Sequence, residues 1–213
     1  MGQLGQQGTS RLFTTLSLSH EIWDSWDSET CVDNAGVSFD YYPATQVDND
    51  FTIAYIGLGS NLGDRAGNLL MAVRGLMEAS FHVNKLSGIY ETEPVEIESD
   101  SYFLNMVAEI HVKNVTPSQM MARLLRIEYL LGRTDKALNK PRTADLDILF
   151  FGDTQMESDF LIIPHPRLHL RRFVLKPLSK IAPNFVHPVL QKEIADLLAE
   201  CEDTSEVIRW KPV

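Results

Sequence analysis

Cysteine is nearly missing from this 213-residue chain: it has two, Cys31 and Cys201, far apart and in unlike surroundings. Such a pair supports neither a disulfide framework nor a zinc site and fits a reducing, cytoplasmic setting. No apolar run approaches the roughly 18–20 residues that span a bilayer, which excludes a membrane-embedded enzyme. No apolar stretch precedes a cleavage site, so there is no secretory signal. Gln6 stands where a myristoylation signal wants Ser or Thr. There is no Walker A lysine sequence. Gly57-x-Gly59 lacks the third glycine and the closing acid of a dinucleotide fingerprint. No convincing Ser-His-Asp or Cys-His set is present for nucleophilic catalysis.

Basic residues are scarce at one end. Residues 1–50 hold one, Arg11, against eight acids, giving −7 of the chain's total of −10. Met1–Ser19 is rich in Gly, Gln, Ser and Thr, and Glu21–Asp50 is acidic with scattered aromatics and no period. This composition reads as a weakly ordered extension, residues 1–50, ahead of a domain spanning 51–213. Met1–His20 has the acid-poor character of an organellar transit peptide without its arginine richness. By contrast, Arg123–Lys176 has ten Lys/Arg against seven Asp/Glu. A basic segment in an acidic protein suits a polyanionic small ligand, although charge alone more often marks a solvated face. The overall charge opposes a nucleic-acid partner.

From Phe51 the pattern is regular. Phe51–Leu58 predicts a strand, closed by the turn-rich Gly59–Asp64. Asn68–Ala79 has apolar residues at helical spacing, and Val83–Glu91 predicts a second strand. Phe103–Val112 alternates, with Leu104, Met106, Ala108, Ile110 and Val112 on one face. Thr116-Pro117 starts a helix, with Thr as N-cap, that runs to about Leu131 and stops at Gly132. Thr143–Phe151 is the last strand; His165–Lys180 is mixed, and Leu190–Glu200 predicts a terminal helix. The order βαββαβ is an α+β, ferredoxin-like arrangement: an antiparallel sheet with helices on one face, plus C-terminal helical additions.

The most informative fragment is Pro141-Arg142-Thr143-Ala144-Asp145-Leu146-Asp147-Ile148-Leu149-Phe150. Residues i and i+2 of a strand share a face, roughly 6.6–7 Å apart. Ala144, Leu146, Ile148 and Phe150 then face the core, and Asp145 and Asp147 point the other way. Two adjacent carboxylates repel unless a cation lies between them, and hard oxygens suit Mg²⁺. A bare D-x-D more often marks a solvated sheet face; Arg142 just upstream shifts the balance toward a polyphosphate site. The charged connection from Arg133 to Pro141 fits either a lid over phosphates or an ordinary surface loop. Further on, Pro164–Leu178 holds His165, Arg167, Arg171 and Arg172. Arginine forks suit phosphate oxygens, and a neutral histidine can donate to one.

Four segments, in order, resemble 6-hydroxymethyl-7,8-dihydropterin pyrophosphokinase of folate biosynthesis: Ala54–Asp64, Tyr90–Pro94, Pro141–Phe150 and Pro164–Phe173. Phe103-Leu104-Asn105 falls where that family has an aromatic-x-Asn. The resemblance covers about Thr52–Trp210 and implies transfer of the β,γ-diphosphate of ATP to the pterin hydroxymethyl group, releasing AMP. It implies two Mg²⁺ ions on Asp145 and Asp147, and phosphate contacts from Arg133 and Arg142. His165 and Arg171 would also meet the nucleotide, with Glu128 and Ile148 at the adenosine. Thr92, Val95 and Asn105 would read the pterin edge, and Phe103 and Phe173 would sandwich its ring. Asp135, Leu138-Asn139-Lys140 and Glu93 depart from the residues frequent in the family. The implied partners are ATP and the pterin alone, with no nucleic acid or membrane, and the protein is expected to be a monomer or weak homo-oligomer. The rival class is a ferredoxin-like module that binds a nucleotide without turning it over.

Overall fold

Asn49 begins the larger of two units in the computed structural model, Met1–Asp48 and Asn49–Val213. The structure describes residues 51–94, 101–133 and 141–212, together with two short strands before them. These are β1 (Cys31–Val32) and β2 (Ser38–Phe39), paired antiparallel within the first unit. The expectation of weak order in residues 1–50 otherwise lies outside the described residues.

In the second unit, β3 (Thr52–Ser60) leads through α1 (Arg65–Glu78) to β4 (His82–Leu86) and β5 (Tyr90–Thr92). Then come β6 (Phe103–Val112), α2 (Pro117–Leu130) and β7 (Asp145–Phe151). Every pairing in this sheet is antiparallel, with β3 between β6 and β7, and with β4 and β5 sharing the far side of β6. This is the ferredoxin-like order the sequence predicts. The single strand expected over Val83–Glu91 is broken in two, because Ser87 turns inward: its N–H donates to Val107 O and its hydroxyl accepts from Val107 N.

Local chemistry sets the helix ends. Asp64 caps α1 by accepting from Gly67 N at 3.0 Å. Thr116 and Gln119 form a reciprocal capping box at the start of α2, with Pro117 in the first turn. At the other end Gly132 takes φ +91, and Arg133 N and Gly132 N donate back to Glu128 O and Tyr129 O. That is a Schellman closure, and it turns Arg133 back toward the helix it follows.

One sheet face buries Ala54, Ile56, Leu58, Leu104, Met106, Leu146 and Ile148 against Leu69 and Leu76 of α1 and Met120 and Leu124 of α2. The expectation of helices on one face is incomplete. After the hairpin β8 (Met156–Glu157) and β9 (Ile162–Ile163), α3 (Arg172–Ile181) and α4 (Ile194–Glu200) cover the opposite face around Tyr55, Val107, Leu149 and Phe150. Phe150 is a second correction. Ile56 pairs with Ile148 but Tyr55 with Phe150, so Leu149 is an extra residue on β7. This bulge moves Phe150 out of the α1/α2 core and onto the α3/α4 face. The terminal helix is also shorter than predicted. After it, β10 (Val207–Arg209) adds to the edge of β5, a strand the sequence reading did not include. No helix among the described residues is long and apolar enough to cross a membrane.

Candidate functional site

The two carboxylates of β7 stand over a floor without side chains. Asp145 pairs with Gly59 and Asp147 with Gly57 on β3; those glycines pair in turn with Asn105 and Val107 on β6. Opposed residues share a face, so Gly59 separates Asp145 from Asn105 and Gly57 separates Asp147 from Val107. A Cβ on Gly59 would sit 3.1 Å from Asn105 Oδ1 and 3.9 Å from Asp145 Cβ. One cavity lies over this floor, and Thr92, Phe103, Asn105, Arg142, Asp145, Asp147, His165, Arg171 and Phe173 all line it. Nine side chains chosen from the sequence thus meet in one place, drawn from β5, β6, β7, the turn before β7, the segment leading into α3 and the first turn of α3.

The charged side of the cavity is a network centred on Asp145. Arg133 Nη1 donates to Asp145 Oδ1 at 2.6 Å and also lies 2.6 Å from Glu128 Oε1. Arg142 Nη2 takes the other oxygen of Asp145 at 2.9 Å. The backbone of Arg142 is held by Asn61, whose Oδ1 accepts from Arg142 N at 2.8 Å and whose N–H donates to Arg142 O at 3.2 Å. Asn68 ties the same turn together by donating to Leu62 O and Ser60 Oγ. The Gly59–Asp64 turn therefore does more than close a strand: it positions an arginine.

Among the described residues no such clamp holds Asp147. Burial, and then the charge of Asp145, push its carboxyl above the usual range, more than the three nearby arginines can offset. Glu128 is buried beside the outer edge of β7, where its carboxylate accepts from Leu146 N at 2.7 Å. Burial pushes it up to about 7, against the pull of the Leu146 N–H and Arg133, with Asp145 and Asp147 adding to the rise. His165 is docked on β7 by its N–H to Leu149 O, and its Nδ1 accepts from Arg167 N at 3.2 Å. Burial, then Arg171 and Arg167, lower it to about 4, so the ring is neutral at pH 7. With Nδ1 accepting, we assign its proton to Nε2, a donor without net charge.

The other side is aromatic and amide. Asn105 Nδ2 donates to Thr92 Oγ1 at 2.8 Å, which orients the amide. Arg142 lies over the Phe103 ring at 6.0 Å and Arg171 over Phe173 at 5.5 Å.

Some expected site residues lie elsewhere. The Ile148 side chain is in the α1/α2 core, and the Glu128 carboxylate is at the outer edge of β7; neither lines the cavity. Arg133 reaches the site through Asp145. Val95 and the loop 134–140 lie outside the described residues. The sequence reading also left out Gly57 and Gly59 as the floor, Asn61 as the anchor of Arg142, and Val107, Leu149 and Val174 as the apolar lining. The signal for the floor was in view, since two glycines at i and i+2 inside a strand mark close approach of another group.

The family profile described as 7,8-dihydro-6-hydroxymethylpterin-pyrophosphokinase (HPPK) matches residues 55–183. The 2-amino-4-hydroxy-6-hydroxymethyldihydropteridine pyrophosphokinase of Bacillus subtilis (strain 168) is 48% identical over 130 residues, which is 61% of this chain and 77% of the relative. The protein of the same name from Aquifex aeolicus (strain VF5) is 34% identical, with 68% of this chain and 90% of the relative covered. Folic acid synthesis protein fol1 of Pneumocystis carinii is 39% identical over 74% of this chain, but the match spans only 21% of its own length. Among solved structures, an HPPK-DHPS crystal structure in complex with substrates superposes with a TM-score of 0.59 at 16% identity, covering 71% of this chain and 43% of that one. A Plasmodium falciparum HPPK-DHPS with pteroate gives 0.58 at 17% identity, with 70% and 44% covered. At those identities the likeness speaks for the fold, and this chain spans less than half of either protein. With the profile over most of the second unit and relatives of 48% and 34% identity covered to 77% and 90% of their length, the chain belongs to the 7,8-dihydro-6-hydroxymethylpterin-pyrophosphokinase family.

Proposed function

We propose that this chain transfers the β,γ-diphosphate of ATP to the hydroxymethyl group of 6-hydroxymethyl-7,8-dihydropterin, releasing AMP, as a step of folate biosynthesis. One observation carries the reading: a carboxylate pair and an amide–aromatic pocket face each other across the bare Gly57/Gly59 floor. A polyphosphate and a flat heteroaromatic alcohol can then lie end to end with nothing between them. The pterin oxygen attacks the β-phosphorus, the bond from that phosphorus to the AMP oxygen breaks, and the hydroxyl proton leaves to solvent. Positioning and charge neutralisation dominate such chemistry.

The donor set fits Mg²⁺. Asp145 and Asp147 offer hard oxygens side by side, and their mutual repulsion, which helps to raise the Asp147 carboxyl, is what a divalent cation would relieve. Among the described residues there is no group of three or more His, Cys, Asp or Glu that could hold a metal ion. That suits a cation that completes its shell with water and substrate phosphates. Two Mg²⁺ ions on Asp145 and Asp147, once bound, would neutralise the triphosphate and polarise its oxygens. Arg133 and Arg142 then exchange Asp145 for phosphate oxygens, as planar forks do well. His165 donates from Nε2 and Arg171 adds charge at the nucleotide. Phe103 and Phe173 hold the pterin ring, and Asn105, oriented by Thr92, reads its edge. Glu128 serves as the anchor of Arg133. A cytoplasmic setting and a monomer or weak homo-oligomer working without nucleic acid belong to the same proposal.

The test is AMP formation. With ATP, Mg²⁺ and the pterin alcohol, AMP should appear in step with pterin consumed, and omitting the metal or the pterin should stop it. ATP binding without any pterin-dependent AMP would favour the module that binds without turnover.

A further inference from the structure

Helix α3 begins at the site with the wrong residue for a helix start. Its N-cap is Arg171, extended at φ −118 and ψ 106, with no side-chain cap hydrogen bond. Caps are normally Ser, Thr, Asp or Asn, whose oxygen accepts from a first-turn N–H. A guanidinium has only donors and cannot do this. The acceptor comes instead from 31 residues away: Asp203 Oδ2 accepts from Arg172 N at 2.8 Å. The other oxygen, Oδ1, accepts from Ser205 N at 2.9 Å, so the carboxylate is aimed by its own turn. Its negative charge also lies at the positive end of the helix dipole.

We propose that Asp203 is a positioning residue of the pterin pocket, capping α3 from the C-terminal tail so that Arg171 and Phe173 are held against the strands that carry Thr92 and Asn105. The tail is fixed at both ends. Behind Asp203 lies α4, packed with α3 in one apolar cluster. Ahead of it, Val207 pairs with Thr92 and Arg209 with Tyr90, and Trp210 N donates to Ile89 O at 3.0 Å. One short stretch of chain thus joins the two walls of the cavity: the start of α3 and the strand β5. The division of labour follows from side-chain chemistry. An Asp at position 171 would cap the helix but remove a cation from the site; with the cap supplied by Asp203, position 171 can be arginine.

The inference rests on the reading of Phe173 as a pterin contact, and the experiment separates the two. Wild type, Asp203→Ala and Asp203→Asn are compared by titration with 6-hydroxymethyl-7,8-dihydropterin in the presence of a non-hydrolysable ATP analogue, by steady-state kinetics, and by amide hydrogen exchange of the ligand-free proteins. Asp203→Ala should weaken pterin binding about fivefold or more, the equivalent of a lost cap, and raise KM for the pterin more than it lowers kcat. Exchange at the first turn of α3 should quicken by a similar factor while the sheet stays protected. Asp203→Asn keeps an acceptor oxygen and should restore most of both. Unchanged exchange in Asp203→Ala, unchanged pterin affinity beside a wild type that binds, or an Asn variant as impaired as Ala would each overturn the inference. A wild type that binds no pterin would overturn the functional reading, and the exchange data would still decide whether Asp203 holds α3.

Discussion

Arg133 Nη1 lies 2.6 Å from Asp145 Oδ1. With Arg142 on the other oxygen, Asp145 is neutralised by two guanidinium groups, while Asp147, two residues along the same strand, is half-buried in the cavity wall with its carboxyl pushed up. The carboxylates look equivalent in sequence and are not equivalent in the fold. Asp147→Asn should therefore raise the stability of the metal-free protein, by about 1 kcal/mol, because it removes a partly desolvated charge repelled by its neighbour. Asp145→Asn should lower it, because two partly buried arginines lose their partner. Both should cut turnover by about 100-fold or more. Urea unfolding in EDTA, beside activity in Mg²⁺, checks both halves; equal stability changes in the two variants would contradict the asymmetry.

Glu128 makes a pH prediction. Its folded pKa of about 7 exceeds the ordinary value of 4.5, so between those values the folded state binds the extra proton. Stability from this group is then fully present below about pH 4.5 and is lost as pH rises through 7, on the order of 3 kcal/mol in all. His165, lowered from 6.5 to about 4, works in the opposite direction, since acid below pH 6.5 charges it more readily in the unfolded chain. The difference between wild type and Glu128→Gln isolates the carboxyl, because Gln can still accept from Leu146 N. Denaturant unfolding of the two at pH 5 and pH 7.5 should show a steeper loss for wild type; parallel curves would place Glu128 outside this balance.

For His165 the neutral form predicts silence near neutrality. Its ring resonances should show no titration between pH 5.5 and 8 in the ligand-free protein, with the proton on Nε2 throughout. An inflection near 6.5 would mean that burial does not lower it.

Gly59 tests the floor. Its backbone is ordinary strand, so Ala fits the φ/ψ, but the added Cβ would meet Asn105 Oδ1 at 3.1 Å. Gly59→Ala should displace the amide and weaken pterin binding about tenfold, with a stability change within about 1 kcal/mol. Asn105→Ala should cost roughly 1–3 kcal/mol of pterin affinity and leave ATP binding nearly unchanged. Equal losses for both ligands would move the pterin elsewhere.

The features legible in the sequence were the local ones. Thr116-Pro117 and Gly132 marked α2 because caps act within a turn, and the alternation of Phe103–Val112 placed Phe103 and Asn105 opposite the core because strand period is local. What was missed depends on distant partners. Phe150 broke the alternation because the Leu149 bulge is set by pairing with β3, nearly a hundred residues away in the chain. Val207–Arg209 is too short to declare itself until β5 offers an edge. Gly57 and Gly59 were read for a nucleotide loop they do not form, and their use as a floor needs both flanking strands. Nothing in the sequence around Glu128 shows that its carboxylate sits at the outer edge of β7 and holds Leu146 N and Arg133, because that pairing joins α2 to a strand 18 residues on.

The most direct test follows the label. ATP carrying isotope at the β-phosphorus is incubated with the chain, Mg²⁺ and 6-hydroxymethyl-7,8-dihydropterin. Diphosphate transfer predicts the β-label in the pterin product together with the γ-phosphate, and unlabelled AMP in equal amount. β-Label retained in ADP, or released as free phosphate without pterin product, would contradict the account.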